Sequence, residues 1–417
     1  MSASPIALPP FAVLAAALRR TTEHLASELA RPTHAAPDWN EVEWAIARSV
    51  AAMQGVSALL ANNLSWPGPP AWLAFLGEQR EQGLLRDALI GELLDRIDAA
   101  TRERGVECVA LKGAALRELD LYLPGERPMG DVDLLVASRD LQSIAEAMAA
   151  IDYVEAFTTR RHRVYEPRRK LEPNGFGEHV DNPIKIEIHT AVAESLPVRA
   201  VDITERLKHG RAQPGLNHYP DLVSLLLHLL LHAAGNMRAH ALRQIQLHDI
   251  AMVASLFYER DWSALLEQRQ DKEQPWWLFP PLALAARYYP GHVPPEVLRA
   301  AEAVCPRVLR LATARQSLTD VSWSNLRIHA LPGLEWSRTP LDALRFMLSR
   351  AWPSRRSLAD IELARHAQPQ LDQVPWYGVS HGGRMVRWLF SRPPRVQTIV
   401  SVRAALESMD VEAPAAE

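Results

Sequence analysis

Between residues 111 and 135 the chain reads LKGAALRELDLYLPGERPMGDVDLL, with a Lys-Gly turn, Lys112-Gly113, ahead of two carboxylates, Asp131 and Asp133. Side chains two apart on a strand share a face, so both acids can meet one cation while Val132 and Leu134 point the other way into a core. Lys112 supplies positive charge. Gly113, lacking a Cβ, allows backbone to approach a bound group closely, and the first N–H groups of a following helix favour anions. The chemistry in outline is a metal ion holding a phosphate chain.

An Asp-x-Asp pair alone is a weak signal, because such pairs commonly mark a solvated strand end. A third acid is supplied by Ile184-Lys185-Ile186-Glu187-Ile188-His189, whose isoleucines share one face and whose Lys185, Glu187 and His189 share the other. Laid beside a strand over 131–136, this segment brings Glu187 to the two aspartates at one end of a sheet.

The elements that must position these residues follow from the pattern around them. Apolar positions recur at helical spacing over 41–60 and 82–101, with Trp66-Pro67-Gly68-Pro69-Pro70 as the break between them. Val106–Leu111 reads as a strand, 113–123 as a helix, and the Pro/Gly-rich stretch carrying Arg127 as a loop. After the 131–136 strand, Ser138 is placed to cap a helix through Ala150. Further strands are expected over 153–189, turning at Pro173-Asn174-Gly175. Beyond residue 200 the chain reads as helical, most clearly over 222–234, 241–258 and 281–289.

The order Lys112-Gly113, Arg127, Asp131-x-Asp133, Leu134-Leu135-Val136 and Glu187-x-His189 resembles the nucleotidyltransferases of the polymerase-β-like superfamily, specifically the bacterial family labelled uncharacterised nucleotidyltransferase. Asp38-Trp39, Gln54-Gly55-Val56, His228, His232, Asp249 and Asp261-Trp262 fall where that family has similar residues, so the resemblance spans roughly the first two thirds of the chain. Two positions depart from the wider superfamily. Gly113-Ala114-Ala115 stands where Gly-Ser or Gly-Gly is common, leaving phosphate contact to backbone amides, and Glu187 stands where an aspartate is more usual.

The resemblance implies an α+β fold, with a small mixed β-sheet nucleotidyltransferase core over 105–200. An N-terminal helical region (1–104), a C-terminal helical domain (201–335) and a partly flexible extension (336–417) would flank it. It implies Mg²⁺ (or Mn²⁺) on Asp131, Asp133 and Glu187, which are also the catalytic set. Lys112, Gly113 and Arg127 would bind nucleotide, with Arg127 touching phosphate or bracing its loop, and His189 would be an accessory that orients Glu187 or the acceptor. The implied reaction transfers a nucleoside monophosphate from a nucleoside triphosphate, with ATP expected on abundance and not on any motif, to a hydroxyl acceptor that is a small molecule, a protein or an RNA end. The alternative is a non-catalytic nucleotide- or partner-binding protein that retains the fold.

Composition bounds the remaining possibilities. The 417 residues are 48% hydrophobic and 23% charged, enough for two or three packed units. A net charge of −3 gives no basic excess of the kind nucleic-acid binders show. Two cysteines, Cys108 and Cys305, fit a reducing compartment, so a cytoplasmic location is expected. The start of the chain lacks a basic segment ahead of its apolar stretch and does not read as a signal peptide. The densest apolar run, Leu222–Ala234, holds two histidines, and no stable membrane insertion is expected.

Five other patterns weigh towards bland readings. His228 and His232, four apart on a helix, followed by His248-Asp249, have metal-ligand spacing for a His-Asp phosphohydrolase, yet no further ligand helix stands out and interface packing is the better account. Arg243 and His248 match the loose Arg-x4-His spacing of HEPN-type ribonucleases, a spacing easily met by chance. Arg160-Arg161-His162-Arg163 with Arg168-Arg169-Lys170 reads as solvated charge before it reads as a phosphate grip. The basic, bulky stretch 384–392, stopped by Pro393-Pro394, reads as packing against the body more than as membrane docking. Core packing accounts for Trp276-Trp277 and Tyr288-Tyr289.

Overall fold

The computed structural model describes residues 8–159, 162–170, 176–208, 213–268, 274–329, 331–354, 358, 379–390 and 394–412. The N-terminal part is helical: α1 (Phe11–Ala30), α2 (Glu41–Gln54), α3 (Ser57–Asn63) and α4 (Pro70–Glu103). Asn40 and Glu43 close a reciprocal capping box at the start of α2, each bond 3.0 Å long. The helix expected over 41–60 is in fact two. Gly55 adopts φ +69°, and α3 leaves α2 at 113°. A Cβ at Gly55 would overlap the Arg243 guanidinium, which reaches the Met53 carbonyl at 3.0 Å, so the break makes room for a long-range contact. α4 begins at Pro70, a residue suited to a first turn, and its 34 residues run about 50 Å, well beyond the expected 82–101.

The central sheet comprises β1 (Glu107–Ala110), β2 (Asp131–Val136), β3 (Tyr153–Thr158), β4 (His162–Pro167), β5 (Lys185–His189) and, after the small hairpin β6 (Ala193–Ser195) and β7 (Ala200–Asp202), β8 (Gly215–Asn217). Its order is β3-β4-β5-β2-β1-β8; β2–β5 and β1–β8 are parallel and the other pairs antiparallel. The edge strand β8 comes from beyond the 105–200 span expected for the core. Helix α5 (Gly113–Arg117) is shorter than the expected 113–123, because Asp120 turns through φ +50° and lets Leu119 and Leu121 pack towards the C-terminal helices. A 3₁₀ turn over 138–140 leads into α6 (Leu141–Ala150), without a capping bond from Ser138. The turn expected at Pro173-Asn174-Gly175 and the pair Arg160-Arg161 lie outside the described residues.

Strand alternation divides the interior as the sequence expects. Val132, Leu134, Val136, Ile186 and Ile188 pack with Ile90, Leu93 and Ile97 of α4 and Ile144 and Met148 of α6. Val109 and Leu135 face the other way, into a core shared with the C-terminal helices. The site residues of β2 and β5 stand on this second face, so the C-terminal helices form one wall over the site.

That part of the chain begins with α7 (Thr204–Leu207) and α8 (Leu222–Ala239), the latter capped by Asp221, whose carboxylate accepts from Ser224 N at 2.7 Å. It continues with α9 (Gln244–Ala254), α10 (Glu259–Leu266), α11 (Phe279–Tyr288), α12 (Pro295–Val304), α13 (Arg307–Arg315), α14 (Leu318–Val321), α15 (Pro340–Ala351), α16 (His381–Phe390) and α17 (Val396–Glu412). Among the described residues α8 alone has the length and apolarity to cross a membrane as a single helix, and 67% of it is buried in the protein, with Leu226, Leu230, Leu231, Ala233 and Ala234 fully enclosed. Trp276, Trp277, Tyr288 and Tyr289 lie in this core, in line with packing. In the 336–417 region, Trp388 of α16 donates to the Ile328 carbonyl at 3.1 Å, and α17 meets α2 where Ser401 and Ser49 share a 2.8 Å hydrogen bond. The protein is α+β, 58% helical, with a mixed six-stranded sheet flanked by helices.

Candidate active site

Parallel pairing of β2 with β5 sets Asp133 opposite Glu187 and Asp131 opposite Lys185. The acid pair and the third acid, separated by more than fifty residues in sequence, therefore occupy neighbouring strands on one face. The entries to both strands are held by one residue of α4. Arg86, 3% exposed, donates to the carbonyls of Met129 (2.9 Å), His179 (3.0 Å) and Asn182 (2.6 Å) and pairs with Glu178 at 2.8 Å. Nothing in the sequence marks this arginine, which sits among other charged residues of a long helix.

Asp133 is the centre of the site. Its Oδ1 accepts from Lys112 Nζ at 2.9 Å and from His189 Nε2 at 2.8 Å, with the carboxylate side chain only 5% exposed. Burial by itself would disfavour the charge, but the two cationic donors win and hold the Asp133 carboxyl well below the usual carboxylate range. Burial opposes the charge on His189, yet its bonds to Asp133 and Glu187 raise it above an ordinary histidine. Asp131, exposed at the mouth of the cleft, is pushed the other way, up to about 6, by the dense protein surroundings and then by repulsion from Asp133 and Glu187. Excess negative charge along this edge is what a divalent cation would relieve, and the Lys112 ammonium stands against Asp133 as such a cation would. The residues present fit a metal ion.

Lys112 itself has φ +48°, a left-handed backbone that a residue with a Cβ rarely adopts. The conformation is braced on both sides. Leu111 N donates to Asp133 O at 2.9 Å, and Lys112 N donates to the Tyr219 hydroxyl at 3.2 Å, which in turn bonds His228 Nδ1 at 2.6 Å. His228, 3% exposed, is pushed down to about 3 by burial and is a neutral acceptor for the tyrosine. It thus supports the turn from α8, consistent with interface packing; His232 bonds Asn236 at 3.1 Å, and His248 meets the Tyr289 hydroxyl at 3.2 Å.

Arg127, expected at the phosphates or as a brace, forms the brace. Its Nε and Nη2 bond both oxygens of Asp249 on α9, at 2.8 and 2.7 Å, and the Tyr122 hydroxyl donates to the same carboxylate at 2.6 Å. Gly113 lies under this arginine, and a Cβ there would overlap Arg127 Nη1 and Met129 Sδ. Of the basic run, Arg163 pairs with Glu155 at 3.4 Å, while Arg168, Arg169 and Lys170 are exposed, as a solvated charge run would be.

A further residue joins the cleft. The antiparallel β4–β5 register sets His162 opposite His189, and His162, Glu187 and His189 form a group whose ligand atoms all lie within 4.8 Å of one another. Among the described residues, Asp131, Asp133 and Glu187 are not gathered that tightly. The sequence presents His162 only as part of a charge run; its position next to a candidate strand is the available signal, and the register is not. Beside the group opens a cavity of about 140 Å³ lined by Lys112, Glu187, His189, Glu194, His228 and His232 among others.

Comparison with known sequences agrees with this chemistry. Residues 40–290, more than half of the chain, match the family described as "Uncharacterised nucleotidyltransferase". No curated protein and no solved structure matches the chain. The family places the chemistry in nucleotidyl transfer, with a nucleotide as substrate and divalent metals typical of the class. The chain belongs to the uncharacterised nucleotidyltransferase family.

Proposed function

We propose that this protein is a metal-dependent nucleotidyltransferase of the polymerase-β-like superfamily that transfers the nucleoside monophosphate of a triphosphate, ATP in our reading, to a hydroxyl acceptor. The observation that carries the reading is the arrangement on one sheet face of Asp131, Asp133 and Glu187 with Lys112 against Asp133 and a cavity alongside. Asp131 and Asp133 would hold Mg²⁺ or Mn²⁺, with Glu187 at their flank; the ion, when bound, neutralises phosphate oxygens. Lys112 would turn its ammonium to the triphosphate and Gly113 would let the backbone approach it. Arg127 would act through the loop it fixes to Asp249.

In the step itself the acceptor oxygen forms a bond to the α-phosphorus as the bridging α–β P–O bond breaks. Pyrophosphate leaves with that electron pair, and Glu187, oriented by His189, takes the hydroxyl proton. The C-terminal wall, where the cavity reaches α8, would select the acceptor, a small molecule, a protein hydroxyl or an RNA end. The two buried cysteines are free, and we place the protein in the cytoplasm. Core and flanks are proposed as 105–200 with its added β8, 1–104, 201–335 and 336–417.

Binding of labelled ATP with Mg²⁺ tests the donor half of this reading: Lys112→Ala should weaken it about tenfold or more, and unchanged affinity would contradict the role. A second reading, a non-catalytic nucleotide- or partner-binding protein, is favoured by the way Asp133 is already neutralised by Lys112 and His189. It predicts nucleotide binding without pyrophosphate release.

A further inference from the structure

We infer that His162, Glu187 and His189 bind a divalent transition-metal ion such as Zn²⁺, Co²⁺ or Mn²⁺ at a position apart from Asp131 and next to Asp133, the ion displacing the proton that His189 Nε2 shares with Asp133 Oδ1 at 2.8 Å. The inference deepens the reading of the cleft as a metal-nucleotide site by naming a second class of ion within it. His162 Nε2 and His189 Nε2 stand 3.6 and 3.7 Å from Glu187 Oε2. Ligands about 2.1 Å from a tetrahedral ion are about 3.4 Å from one another; both histidines are within a few tenths of an ångström of that spacing from Glu187, and the three ligand atoms all lie within 4.8 Å of one another. The backbone sets this spacing, because His162 and His189 are direct cross-strand partners and Glu187 is two residues from His189 on the same face.

Donor chemistry distinguishes this position from the oxygen site at Asp131. Two imidazoles and one carboxylate suit first-row transition metals, whereas Mg²⁺ prefers oxygen ligands and retained water. Distance separates them too: Asp131 is paired with Lys185, four residues of strand from His189, which is about 13 Å. The cavity lined by all three ligands leaves room for exchangeable ligands on the ion. His162 Nδ1 is buried without a hydrogen-bond partner among the described residues, so Nε2, aimed at Glu187, is the ring atom the surroundings engage.

The test is titration of Co²⁺ into the purified full-length protein in excess Mg²⁺ and without nucleotide, read by calorimetry and by the visible absorption of the ion. One equivalent should bind with the strong absorption of a low-coordinate nitrogen-ligated ion. His162→Gln and Glu187→Gln, each checked for an unchanged thermal melt, should weaken binding about tenfold or more and remove the band, and Asp131→Ala should retain both. Absence of Co²⁺ binding, equal binding by a properly folded His162→Gln protein, or loss of binding in Asp131→Ala would overturn the inference. Because no nucleotide is present, failure of this site and failure of nucleotidyl transfer are separate results.

Discussion

Arg127 and Asp249, 122 residues apart, meet through two parallel hydrogen bonds of 2.8 and 2.7 Å, with the carboxylate 1% exposed. The pair ties the loop that precedes β2 to helix α9, so the position of the acids depends on the C-terminal helices. Breaking it leaves one buried charge uncompensated. Arg127→Ala and Asp249→Ala should each cost about 3–5 kcal/mol in denaturant unfolding, and the double variant less than the sum of the two. Additive losses would show that the pair does not act as a unit.

Gly113 should not tolerate a side chain. Its would-be Cβ overlaps Arg127 Nη1, which Asp249 holds in place, and the buried Met129 sulfur. Gly113→Ala is expected to cost about 1–3 kcal/mol and to weaken nucleotide binding by displacing the turn. A wild-type melting temperature with wild-type binding would contradict the close approach.

The Tyr219 hydroxyl joins the strained Lys112 backbone to His228. Tyr219→Phe keeps the ring and leaves two buried polar groups without their partner, at an expected cost of about 1–3 kcal/mol. Hydrogen exchange at the Lys112 amide should accelerate in this variant more than exchange in the sheet interior. Uniform acceleration would mean global loosening instead.

Stability should fall in mild acid through buried histidines. His240, 6% exposed, is pushed down to about 4, chiefly by burial, from an ordinary value of 6.5. A depressed folded value means that the unfolded chain binds the proton more readily, so the contribution is full above about 6.5 and is lost as the pH drops towards 4. At pH 5 the loss from this residue is about 2 kcal/mol. His240 has φ +53°, a conformation asparagine accepts, so His240→Asn should flatten the profile between pH 7 and 5. An equally steep profile in that variant would assign the acid sensitivity elsewhere.

What could be read from the sequence had short range or a strict period. Asp131-x-Asp133 and the alternation around Glu187 fix which face each side chain takes, whereas the pairing of the two strands is a supposition that no local pattern dictates. Helix ends were less legible where a tertiary contact decides them, as at Gly55, which yields to Arg243, and at Asp120, where Leu119 and Leu121 leave the helix for the C-terminal core. His162 and Asp249 carry no local mark of their partners. The first depends on the register of an antiparallel pair, which a one-residue slip would reverse, and the second on how α9 docks, which no periodicity records.

The most direct measurement is pyrophosphate release by the purified protein with Mg²⁺ or Mn²⁺ and each of the four ribonucleoside triphosphates, with cell extract as the source of acceptor, alongside Asp131→Ala. Asp131 is exposed, so its removal leaves the buried Lys112–Asp133–His189 contacts in place. The account predicts release with at least one nucleotide and a loss of about 10²-fold or more in the variant. Release that persists in Asp131→Ala, or nucleotide binding without release from any of the four, would contradict it.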